Sequence, residues 1–165
     1  EHSDTVRSWL KHASIPVLEI GATQAEPLDM NIGIDNAAAM FELTEMLITR
    51  GYQNIGLLCA RQEQWIFQQH LQGWYKAMLR HHMSPNRVIN AAAPPTFSTG
   101  AAQLPEFLLA WPELDALVCV SDELACGVLY ECQRRRIKVP DELAVVGFGD
   151  SDVRRLCQPE RQRGV

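Results

Sequence analysis

The chain has 165 residues, 47% of them hydrophobic, which is enough for one ordinary core and near the usual length of a single domain. A formal net charge of -5 argues against a stand-alone nucleic-acid binder, which normally carries a basic patch or stripe. No apolar stretch approaches the roughly 18–20 residues that a membrane-spanning helix needs.

The first residues, EHSDTVRSWLKHAS, are polar, predict an amphipathic helix and show no secretory signal. IPVLEI (15–20) predicts a strand and NIGID (31–35) a second. Asp35 and Asn36 supply caps for a helix over 37–50, in which Met40, Leu43, Leu47 and Ile48 recur at helical spacing and which Gly51 stops. NIGLLCA (54–60) has the composition of a buried strand. A longer helix over 65–81 follows, with Phe67, Leu71, Trp74 and Met78 on one face. RVINAA (87–92) predicts another strand, and the prolines at 94–95 begin a loop. Ser98 caps the next helix, which ends near Trp111; Pro105 lies inside it and should mark a later start or a kink. DALVCV (115–120), a helix over 122–136 and LAVVGF (143–148) complete the series.

Strands of near-continuous Val, Ile and Leu are those of a parallel sheet covered on both faces, and their alternation with helices predicts an α/β fold with right-handed βαβ crossovers. No internal repeat or low-complexity linker interrupts it. Cysteines stand at 59, 119, 126, 132 and 157, an odd count without a C-x-x-C pair. Cys59 and Cys119 fall inside apolar runs and read as core, a usage suited to a reducing cytoplasm.

In such sheets ligands collect outside the carboxyl ends of the strands. The segments leaving those ends are ARQEQ (60–64), AAPPTFS (92–98), SDEL (121–124) and GDSD (149–152). In SDEL, Ser121 is an N-cap, and Asp122 and Glu123 suit the positive end of the helix dipole. The same hydroxyl and carboxylates also suit the hydroxyls of a polyol, and Asp150 and Asp152 add further acceptors or form a solvated turn. A phosphate ligand fits poorly: the acids repel it and neither a P-loop nor a G-x-G-x-x-G occurs. Catalysis lacks a G-x-S-x-G elbow and an H-E-x-x-H pair. His81 and His82 read as a solvated helix end, and Trp9, Trp65, Trp74 and Trp111 as packing residues. His70, on the helix after ARQEQ, is either a ligand contact or a plain surface histidine.

LDALVCVSDELACGVLYECQRRRIKVPDELAVVGFGDSD resembles the effector-binding core of LacI/GalR-type transcriptional regulators, and IPVLEI, IGIDNAAAM, TRGYQNIGLLCA and QGWYKAML agree in order over about residues 5–153. IPVLEI, EPLDMNIGIDN, GAAQL and LYECQRR are most similar to the gluconate and idonate repressor branch. The resemblance implies a periplasmic-binding-protein-like type I fold of two lobes with a small molecule held between them. Residues 1–33 would be a remnant of the first lobe, 34–153 the second, and 154–165, arginine-rich and unlike an apolar strand, a truncated crossover back to the first.

The same resemblance implies the site. Ser121 stands where the family has Asn of an Asn-Asp pair, with Asp122 retained; His70 stands for a frequent Arg; Gly149 replaces the first Asp of a G-F-D-D motif, with Asp150 kept. Arg61 and His70 would meet a carboxylate, Ser121 and Asp150 would take hydroxyls, and Phe97 would offer an apolar face. The expected protein is a cytoplasmic, non-enzymatic repressor domain that senses a sugar acid such as gluconate, or a sugar, without cofactor or metal. It would form a homodimer through helices such as 37–50 or 65–81 and reach operator DNA only through a helix-turn-helix outside this chain. Two other readings stay open: a periplasmic sugar-binding protein of a transport system, and an enzyme on an α/β scaffold, for which no nucleophile–base pair is visible.

Overall fold

The computed structural model describes residues 35–148 in full and the backbone of two short strands, Val17–Glu19 and Arg154–Cys157. The first helix expected, most of the NIGID strand and the GDSD loop lie outside the described residues. In chain order the elements are β1 (Val17–Glu19), α1 (Asn36–Thr49), β2 (Ile55–Cys59), α2 (Gln64–Arg80), β3 (Val88–Asn90), α3 (Phe97–Ala110), β4 (Ala116–Cys119), α4 (Asp122–Arg134), β5 (Ala144–Phe148) and β6 (Arg154–Cys157).

One sheet runs in the order β1-β6-β5-β4-β2-β3. β3, β2, β4 and β5 are mutually parallel, as expected, while β6 pairs antiparallel with both β5 and β1. The arginine-rich stretch after residue 153, expected to be unlike an apolar strand, nevertheless contains the strand Arg154–Cys157. A strand near the sheet's edge is held by backbone pairing along its neighbours, so its side chains need no apolar pattern.

β2, β4 and β5 are buried on both faces, and alternate residues serve different layers. Ile55, Leu57 and Cys59 of β2, with Ala116 and Val118 of β4 and Val146 of β5, pack with Met40, Leu43, Leu47, Trp74 and Met78 of α1 and α2. Leu58, Leu117, Cys119 and Val145 face the other way, onto Leu104 and Phe107 of α3 and Leu124 and Val128 of α4. Val120, just past β4, packs against both layers. Cys59 and Cys132 are core thiols, and burial pushes each up to about 12, far from the range of a reactive thiolate.

Within each layer the helices approach closely through glycine. A side-chain carbon at Gly73 would strike the carbonyl of Ala37 on α1. Gly100 of α3 lies against the carbonyl of Leu124, and Gly127 of α4 against the carbonyl of Phe97, so α3 and α4 touch backbone to backbone at two points.

The helix ends follow from local chemistry. The Asp35 side chain accepts from Ala38 N at 3.0 Å and caps α1. Gly51, at φ 101, ends it, with Gly51 N donating to Ile48 O and Tyr52 N to Leu47 O in a Schellman motif. The same pattern ends α2 at His82 (φ 57) and α4 at Arg136 (φ 60), where the left-handed position carries a side chain instead of glycine. Arg136→Gly should therefore stabilise the protein by about 1 kcal/mol, by removing the left-handed strain of a residue with a Cβ. A higher urea midpoint at unchanged m checks it, and an unchanged midpoint contradicts it.

One expectation about α3 is corrected, and of the two offered for Pro105 the later start is removed. Its N-cap is Thr96, whose hydroxyl accepts from Thr99 N at 3.4 Å, while Ser98 lies inside the first turn. Pro105 does not delay the start; the helix runs from Phe97 to Ala110 around it. The Thr96 cap and the contact at Gly100 hold the turns before the proline, and buried Leu104 and Phe107 anchor the helix on either side of it. Trp65, expected to pack, is exposed, with Nε1 donating to Glu63 Oε1 at 2.7 Å.

Candidate functional site

The parallel register brings the carboxyl ends of β3, β2, β4 and β5 to one edge. β2 leads into Arg61. Its backbone N–H donates to Ala93 O at 2.8 Å and its Nη2 to Ala92 O at 3.1 Å, fastening this loop to the one after β3. The Arg61 residue is otherwise exposed.

Ser121 follows β4 and caps α4, accepting from Leu124 N at 3.1 Å. The same hydroxyl donates to Pro95 O at 3.4 Å, so it also ties α4 to the loop after β3. Asp122, the next residue, is buried at 7% exposure. Its Oδ1 lies 3.3 Å from where a side-chain carbon would stand on Gly147 of β5. Glycine at that position leaves room for the carboxylate.

His70, two turns along α2, is 3% exposed, which rules out a plain surface histidine. Its ring stands edge-on to Phe148, the last residue of β5, with centroids 5.3 Å apart at 85°. Nδ1 is buried with no hydrogen-bond partner among the described residues, as is Nε2 of Gln62 in the loop after β2. Desolvation lowers the His70 pKa from 6.5 to about 4, so the imidazole is uncharged at neutral pH. In this environment His70 therefore offers hydrogen bonds and no charge at neutral pH.

Phe97 opens α3, and its ring packs on Tyr130, 5.3 Å away between centroids. Tyr130 is more than two turns along α4 from Ser121, so that contact leads away from the other candidates. Asp150 lies outside the described residues.

The structure thus joins His70 to the end of β5, Asp122 to the neighbouring Gly147, and Arg61 and Ser121 through the loop after β3. Asp122 was visible in the sequence as an acid at a strand end. Gln62 gave no signal beyond being one polar residue among several. A separate depression of about 550 Å³ lies at the opposite edge, lined by Tyr52, Asn54, His81, His82 and Arg87 among others. Arg87 is already engaged there, at 2.9 Å from Glu113 and 3.1 Å from Asn54 Oδ1. Among the described residues no group of three or more His, Cys, Asp or Glu side chains could hold a metal ion, and no helix is long and apolar enough to cross a membrane.

Fold and edge together define an α/β domain whose parallel strands present polar side chains at their carboxyl ends. Residues 44–161 match the periplasmic binding protein-like domain, and the chain belongs to that family. It is 33% identical over 159 residues to the HTH-type transcriptional regulator GntR of Escherichia coli K12, covering 96% of this chain and 47% of that protein. It superposes on a LacI family transcriptional regulator from Silicibacter pomeroyi with a TM-score of 0.68 and 31% identity, over 91% of this chain and 56% of that one. A PurR family transcriptional regulator from Vibrio parahaemolyticus matches with a TM-score of 0.68 and 34% identity, over 90% and 55%. The chain spans about half the length of the curated relatives it matches, which are transcriptional regulators.

Proposed function

We propose that this chain is the effector-sensing part of a LacI/GalR-type transcriptional repressor and that the carboxyl edge of its sheet holds a small polyhydroxylated molecule, a sugar or sugar acid. The observation that carries the reading is the edge itself, where His70, Ser121 and Asp122 converge on the ends of β4 and β5 and where the buried His70 Nδ1 has no partner among the described residues. A buried polar group without a partner is costly, and a ligand hydroxyl relieves that cost.

In this proposal residues 34–153 form the second effector lobe, residues 1–33 belong to the first, and 154–165 lead back to it. A helix-turn-helix outside this chain contacts operator DNA in the cytoplasm, and the protein works as a homodimer. The effector acts by binding two lobe arrangements with different affinity, which shifts their populations.

The test is release of operator DNA by the full-length protein over a panel of sugars and sugar acids, gluconate and idonate included. At least one should shift DNA occupancy, and His70→Ala should weaken that response about tenfold or more, the loss of one or two buried hydrogen bonds. Urea unfolding of His70→Ala beside the unaltered protein serves as the control for folding. Occupancy unchanged by every compound overturns the proposal.

A further inference from the structure

The loop after β3 is fastened at two places. Ala91 N donates to Cys59 O at 2.9 Å, continuing the pairing of β3 with β2. The next two carbonyls belong to Arg61: Ala92 O accepts from its Nη2 at 3.1 Å, and Ala93 O from its backbone N–H at 2.8 Å. Pro95 O then accepts from Ser121 Oγ at 3.4 Å, beyond the end of β4. β2 lies between β3 and β4 in the sheet, so the loop crosses the carboxyl end of β2 to reach the start of α4. Thr96, the next residue, caps α3.

Pro94 and Pro95 stand after the first fastening and at the second. Each has a fixed φ and no N–H, so the segment is stiff and offers only carbonyls. Thr96 N donates to Pro94 O at 2.8 Å and tightens it further. A displacement at Ala92 is therefore carried to Pro95 and not absorbed on the way. At 3.4 Å the Ser121 bond exceeds the usual range for a hydroxyl donor, about 2.5–3.0 Å, so it breaks first when the loop drifts outward. While it holds, the one proton of Ser121 is directed at Pro95. One lone pair of the same oxygen accepts from Leu124 N, and the second is left for a donor.

We propose that Arg61 is a positioning residue of the effector site: its guanidinium holds residues 91–96 as a strap across the sheet edge, and through that strap it fixes the Ser121 hydroxyl as an acceptor. The inference rests on the effector-sensing reading above and deepens it. Arg61 then serves acidic and neutral ligands alike, in contrast to the carboxylate contact that the resemblance implies.

Residue-resolved hydrogen exchange and calorimetric titration of the full-length protein read the two halves of the proposal. Without added ligand, Arg61→Ala should speed exchange of the residue 61 amide at least about threefold over its intrinsic rate, the net worth of one hydrogen bond, with the amides of β2 unchanged. Arg61→Lys, which can donate to Ala92 O, should restore protection. The titration uses D-gluconate, L-idonate, D-glucose and D-glucitol, and is judged on the compound that the unaltered protein binds best. Arg61→Ala should weaken that affinity at least about threefold and Arg61→Lys should recover it. Pro94→Gly, which softens the strap without touching Arg61, should weaken it by a similar factor. Arg61 and Pro94 are exposed, so neither change opens the core.

Unchanged exchange in Arg61→Ala, or exchange as fast in Arg61→Lys, overturns the strap. Faster exchange with unaltered affinity overturns its link to the site. Lost affinity with unaltered exchange means that Arg61 meets the ligand itself. Each of these overturns the inference and leaves the effector-sensing reading standing. If Arg61→Ala does not fold, Pro94→Gly decides, and affinity equal to that of the unaltered protein overturns the inference. Binding of none of the four compounds overturns the effector-sensing reading and this inference with it.

Discussion

Gly127→Ala should lower stability by about 3 kcal/mol, at the upper end of what overpacking a tight interior normally costs. The added carbon would strike the carbonyl of Phe97 and come within 2.7 Å of Ala101 N. Both obstacles are backbone atoms, which cannot rotate away as a side chain can, so α3 and α4 must separate. Separation strips contacts from Leu104, Phe107, Leu124 and Val128, which line the same layer. Urea unfolding of the variant beside the unaltered protein reads the effect, and a loss below about 1 kcal/mol would mean that the two helices slide apart easily.

The second large effect is a dependence on pH. The His70 pKa is 6.5 when unfolded and about 4 when folded, lowered by desolvation. The unfolded chain therefore binds a proton at this site that the folded chain does not. The stability is fully present above pH 6.5 and is lost as pH falls through the interval down to about 4. From pH 7 to pH 5 the loss attributable to His70 is about 2 kcal/mol. His70→Gln cannot ionise, so its stability should fall by about 2 kcal/mol less over the same range, with all other groups contributing equally to both proteins. Identical pH slopes would show that the imidazole takes up its proton without disturbing the fold.

The element order and most of the core were legible because their signals are local. The spacing of Met40, Leu43 and Leu47 and the apolar runs of β2, β4 and β5 repeat with periods that only one backbone conformation can use. The errors fall where local preference does not decide. Thr96 and Ser98 are both capping residues, and the seating of α3 on α4 at Gly100 determines which one serves. Pro105 is tolerated because packing on either side outweighs one missing hydrogen bond. Arg154–Cys157 pairs through its backbone, to which a side-chain pattern is blind.

The positions of the candidate residues in the fold were legible to a similar degree. The strand-end rule located Arg61 and Ser121, since strand ends follow from the apolar runs. The neutrality of His70 was not legible, because it depends on burial against Phe148, a residue far along the chain. Nor was the direction of the Phe97 ring, which the meeting of two helices decides.

The sheet separates two bodies of side chains, so strain in one layer ordinarily reaches the other only through the main chain of the strands. Val120 is the exception among the described residues. It stands one residue before Ser121, at the rim where a ligand would lodge, and it leans on both layers at once. Under the proposed function, a molecule bound at that rim would press on a residue that packs against both layers. In that reading, occupancy of the edge would be passed to both layers through one side chain as well as through the strands.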